Sequence, residues 1–130
     1  MKKEISELYG YLSQCNEFMD IKQLQFINIK ILDLAGKYLD KVSNKKIHNI
    51  YAESKLFWEY LNNDLESLNN IKDKAWDLND ELFDDRLDSL DEILLRLLIT
   101  TTYNDTEKSF WDQAVEFVEL LIEQADEIGY

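Results

Sequence analysis

Carboxylates supply most of the chemistry that this chain could perform. Asp84-Asp85-Arg86-Leu87-Asp88 sets acids four residues apart. On a helix that spacing puts both on one face, where they can share a hard cation. Glu116, Glu119, Glu123 and Asp126 repeat a three-residue step on a single stretch. Cys15 and His48 would serve as nucleophile and base, but no oxyanion or orienting signature accompanies them. Core packing accounts for the cysteine, and His48 is expected to cap or border a helix. A sole histidine with no cysteine pair argues against zinc. No glycine-rich phosphate loop or Ser/His/Asp arrangement is present.

The densest grouping runs from Ala75 to Glu92 and holds eight carboxylates and one arginine. Wound as a helix, Ala75, Trp76, Leu78, Leu82, Phe83, Leu87 and Leu90 form an apolar arc. Asp77, Glu81, Asp84, Asp88 and Asp91 oppose it, flanked by Asp80, Asp85 and Glu92. A solvated face normally mixes lysine with glutamate at i, i+4. Here only Arg86 interrupts, and from Asp112 to Asp126 nothing basic does. Such one-sided faces repel themselves and favour docking of a cationic partner. The residues expected to meet it are Asp77, Asp80, Glu81, Asp84, Asp85, Asp88, Asp91, Glu92, Glu116, Glu119 and Glu123. Trp76, and by the same logic Trp111, lies at an apolar margin beside acids, as interface aromatics do.

Five helices must position these groups. The first spans about Lys3 to Cys15, on Ile5, Leu8, Tyr9 and Leu12. The second starts at Asp20, capped with Gln23, and reaches about Val42. It is the least amphipathic and so the expected centre of the bundle. A third begins near Lys45 and continues to Asn69-Asn70, since Leu65 and Leu68 keep its apolar phase; a stop at Asn62-Asn63-Asp64 is the shorter reading. The fourth, about Lys72 to Ile99, would set Arg86 amid its apolar arc unless it kinks at Asp84-Asp85, with Asp85 capping a new segment. Thr100-Thr101-Thr102-Tyr103 ends it. The fifth opens on an Asn104 cap with Glu107 and closes at Gly129.

Composition bounds the rest. With 130 residues, 45% apolar, no proline and three glycines, the chain reads as one all-α domain over 1–130. A lone cysteine and an N-terminus without an apolar h-region fit the cytoplasm. No apolar run is long enough to span a membrane. Residues 1–60 carry nine lysines and eight acids, net +1; residues 61–130 carry five bases and nineteen acids, net −14. That balance argues against direct nucleic-acid binding, which needs basic patches for phosphates, and equally against attraction to anionic lipid. It favours steered encounter with a basic protein.

Several resemblances follow from these motifs. Asp84-Asp85-Arg86-Leu87-Asp88 is similar in spelling to the magnesium-diphosphate motif of prenyl-transferring enzymes, whose large helical cavity needs a longer chain. Glu116-xx-Glu119 with Glu123-xx-Asp126 resembles the magnesium signature of all-helical nucleoside triphosphate pyrophosphohydrolases, although there the two motifs occupy separate helices. Asp80-Glu81-Leu82-Phe83, followed by more acids and the apolar run Leu87 to Leu98, is similar to the acidic half of tRNase-colicin immunity proteins. The paired tyrosines of DNase-colicin immunity proteins are missing, since Ile50-Tyr51 precedes Ala52. The immunity resemblance implies a non-catalytic bacterial protein, free of metal and cofactor, that covers the basic cleft of a toxin nuclease in a 1:1 complex. The alternatives are the magnesium-dependent pyrophosphohydrolase and a helical adaptor that self-associates.

Overall fold

Helices form over most of the stretches that the apolar spacing predicts, but the described residues hold six. The computed structural model describes residues 2–61 and 64–129. Among these it has α1 (Lys2–Gln14), α2 (Ile21–Gly36), α3 (Lys45–Tyr60), α4 (Leu65–Leu82), α5 (Leu90–Thr100) and α6 (Lys108–Glu127). A 3₁₀ turn covers Leu39–Lys41, and the described residues form no strand. The expected count of five fails because the long fourth helix is two, α4 and α5, joined by a loop over 83–89.

Local signals explain most boundaries. Asp20 accepts the Gln23 N–H at 2.8 Å, and Gln23 Oε1 accepts the Asp20 N–H at 2.9 Å. This is the predicted capping box. The second helix nevertheless stops at Gly36, where the Tyr51 hydroxyl of α3 lies 2.6 Å from the place a Cβ would occupy. Leu61 takes a left-handed conformation (φ 46°) and ends α3; Asp64 then caps α4 through the N–H groups of Glu66 and Ser67. Leu65 and Leu68 therefore belong to α4, not to a longer third helix, and the Asn62-Asn63 of the shorter reading lies outside the described residues. The threonine run ends α5 as expected, each hydroxyl donating to a carbonyl three residues back.

The N-terminus of α6 departs from expectation. Asn104 does not cap it; the helix opens at Lys108 after Glu107. The preceding backbone is engaged elsewhere. Met19 N–H donates to the Thr106 carbonyl at 2.8 Å and Lys108 N–H to the Glu17 carbonyl at 2.9 Å. These two bonds clip the α1–α2 connection to the start of α6.

One continuous apolar core draws on all six helices. Its centre is α5, not α2: nine of the eleven α5 residues are buried. Helix α5 packs against α2, α3, α4 and α6, and α1 packs mainly on α6. Trp58 of α3 is buried and donates its indole N–H to the Thr101 carbonyl at 2.6 Å, locking α3 to the end of α5. No helix among the described residues is long and apolar enough to cross a membrane. Leu97, wholly buried in α5, should be among the costliest positions to truncate. Leu97→Ala is expected to lose about 2–5 kcal/mol, and Leu120→Ala on the exposed face of α6 about 0.5 kcal/mol or less. Urea unfolding of the two variants checks this.

Candidate partner-binding surface

The acidic stretch cannot stay helical through its middle. Asp85 (φ 65°) and Leu87 (φ 55°) both adopt left-handed backbone, which is costly for a branched side chain such as leucine. Surrounding groups hold the turn in place. Asn79, buried on α4, donates from Nδ2 to Asp85 Oδ1 at 3.2 Å. Arg96 of α5 donates from Nη1 to the same oxygen at 3.3 Å. Its guanidinium carbon lies 5.0 Å from the Trp76 ring centroid and 5.7 Å from that of Phe117. A single cation thus joins α4, the loop, α5 and α6. Asp85 secures the loop and caps no helix. Ser89 is the N-cap of α5, accepting the Glu92 N–H at 3.2 Å.

The other predicted site residues of this stretch fall into five settings. Glu92 turns inward and is 1% exposed, so it is no surface group; its Oε1 accepts the Leu87 N–H at 2.9 Å. Asp77 and Glu81 line a groove of about 570 Å³ between α3 and α4, together with Lys46 and Lys74. That groove is mixed in charge, and Lys46 lies 3.8 Å from Glu81. Asp84 is exposed but pairs with the chain's own Arg86 at 2.8 Å. Asp80 and Asp88 are exposed, with no ion pair among the described residues. Asp91 is half-buried, and burial raises its carboxyl above the usual range.

Helix α6 keeps its stripe. Glu116 and Glu123 are exposed, Asp112 and Glu119 half-buried, and none pairs with a lysine or arginine among the described residues. Tyr9 of α1 donates its hydroxyl to Glu119 at 3.0 Å. Burial, the Glu119 bond and the charges of Glu119, Glu116 and Asp112 push the Tyr9 phenol up to about 12. The two stripes do not merge into one face. Acids of α4 border α3, those of α6 border α1, and α5 with Arg96 lies between.

Neither tryptophan is a free anchor. Trp111 is fully buried and donates to the Asp105 carbonyl at 2.9 Å. Trp76 is half-buried beneath Arg96 and donates to the Tyr103 hydroxyl at 3.0 Å. The break at 83–89 removes Asp84 and Asp88 from a shared helix face, and Glu119 is tied to Tyr9. Among the described residues no group of three or more His, Cys, Asp or Glu is disposed to hold a metal ion. Cys15 donates to the Tyr11 carbonyl and burial raises its thiol, while His48 Nε2 donates to the Val42 carbonyl.

Two features escaped the sequence reading. Arg96 is the one base in the apolar run Leu90–Thr100, a signal that could have marked it. The other is an apolar rim of Leu56, Tyr60 and Leu65, 59%, 76% and 53% exposed. The Tyr9–Glu119 bond predicts alkaline sensitivity. An unfolded phenol ionises near 10, so Tyr9 contributes fully below that pH and its contribution disappears as pH rises through about 12. Tyr9→Phe is expected to flatten this part of the stability–pH curve, as followed by urea midpoints. No family model, curated protein or solved structure matches the chain.

Proposed function

We propose that this chain is a non-catalytic immunity-type protein that neutralises a basic toxin nuclease by presenting carboxylates to it. One observation carries the reading: the outer stripe of α6, with Glu116 and Glu123 exposed and no basic side chain paired to it among the described residues. Asp80 and Asp88 extend the same character to the end of α4 and its loop. Concentrated like charge destabilises the folded state, and an opposing basic surface removes that cost on docking. A nuclease must attract phosphate, so its cleft offers such a surface. Rows of carboxylates compete for it and speed encounter in a salt-sensitive way. The likeness of Asp80-Glu81-Leu82-Phe83 and its apolar sequel to tRNase-colicin immunity proteins points the same way.

A second reading, a self-associating adaptor, draws on the apolar rim. Leu56 and Tyr60 border one depression, Ile21 and Leu65 another, and Phe57 contributes to both. An adaptor should sediment as a dimer that persists in high salt, and Leu56→Glu should dissociate it. A monomer at all salt concentrations removes that reading.

The immunity reading is tested by expressing each adjoining open reading frame with and without this chain. One product is expected to carry a basic domain whose nuclease activity is lost when the chain is added. Glu116→Lys/Glu123→Lys should slow association by about 10-fold or more at low salt without altering the melting temperature by more than a few degrees. Neither product binding at low salt, or equal association by the variant, would overturn the proposal.

A further inference from the structure

The loop between α4 and α5 encloses a depression with an unusual floor. A shallow cavity of about 360 Å³ is lined by Glu81, Phe83, Asp84, Arg86, Asp88 and Glu92 among others. Glu92 is 1% exposed. One carboxylate oxygen is satisfied by the Leu87 N–H at 2.9 Å. The other, Oε2, is buried and has no hydrogen-bond partner among the described residues. A buried carboxylate oxygen without a donor carries an uncompensated desolvation penalty. It persists where the site has another use or where an incoming donor relieves it.

Charge and shape narrow that donor. The exposed rim carboxylates Asp84 and Asp88, with Glu81, select a cation. An organic cation of a basic protein is the candidate that this reading supplies, and guanidinium and ammonium differ in shape. A planar guanidinium donates along several directions at once and packs flat against an aromatic ring. Phe83, half-buried, supplies a ring in the wall. The chain's own candidate, Arg86, borders the cavity, but its Nε bonds Asp84 at 2.8 Å and its side chain is 72% exposed. It guards the rim and leaves Glu92 unserved.

We infer that this cavity receives an arginine side chain of the basic partner, with Glu92 Oε2 as the buried acceptor and Asp84 and Asp88 as the charged rim. The inference rests on the reading that the chain binds a basic protein, and it names where one anchoring residue enters. Arg86 then competes with the incoming side chain for the rim carboxylate of Asp84.

The test is a titration of the isotopically labelled full chain with a capped hexa-arginine peptide at low salt, read by amide chemical shifts. The Leu87 amide reports directly, because its proton bonds Glu92. Leu87, Glu92 and Phe83 are expected to shift most. Glu92→Gln keeps an acceptor for Leu87 but removes the charge, and should weaken binding at these amides about tenfold. Arg86→Ala should tighten it about two- to fivefold; this variant also keeps the test decisive should Glu92→Gln unfold. Shifts confined to Glu116–Glu123 of α6, or unchanged affinity in both variants, would overturn the arginine pocket while leaving the basic-partner reading intact. An equal response to hexa-lysine would overturn the guanidinium assignment. No saturable binding at any acidic surface would defeat both.

Discussion

Burial of α5 is the constraint that shapes this molecule. It offers only Asp91 and Arg96 as partly exposed residues, so it must be wrapped on nearly every side. Helices α2, α3, α4 and α6 do the wrapping. Each of them can then put polar residues outward only on the side away from α5. The acids of α4 and α6 thus end up on separate flanks of one buried rod. Arg96 crosses between the flanks and stacks against an aromatic ring from each.

That arrangement decides how the charge is managed. In an acidic chain the scarce cations go where geometry needs them rather than where repulsion is greatest. Arg96 secures a turn containing two left-handed residues. Lys46 and Lys74 temper the groove between α3 and α4. Helix α6 receives no comparable compensation among the described residues, and the phenol of Tyr9 feels the resulting field. The unevenness separates a flank that the fold itself neutralises from one whose carboxylates it leaves uncompensated among the described residues.

Much of this was legible in residue order. The Asp20–Gln23 box, the start at Lys45, the threonine stop and the Gly129 end all rest on local chemistry, and local chemistry prevailed. Tension around Arg86 marked the break in the fourth helix. Asp85 could not be recognised as a loop clasp, because its partners Asn79 and Arg96 come from two flanking helices. Glu92 was misplaced for a related reason. A helical wheel carried through 83–89 keeps a phase that the loop resets, so a residue drawn on the acidic flank enters the interior. The Asn104 cap failed because a backbone clip some ninety residues away in sequence occupies the preceding segment. Glu116, Glu123 and Asp126 of α6, by contrast, lie exposed where a simple wheel puts them, because that helix is uninterrupted, while Asp112 and Glu119 are half-covered.

The clip between 17–19 and 106–108 has a bearing on biosynthesis. Helix α1 finds its broadest support on α6, and its linker is stitched to the residues that open α6. During translation α1 leaves the ribosome long before that support exists. Its apolar side, with Leu8 and Leu12, lacks that packing partner until α6 has been made. Closing so long a loop is entropically slow to reward, so the seam between the two distant segments is the kind of contact that chain connectivity makes late.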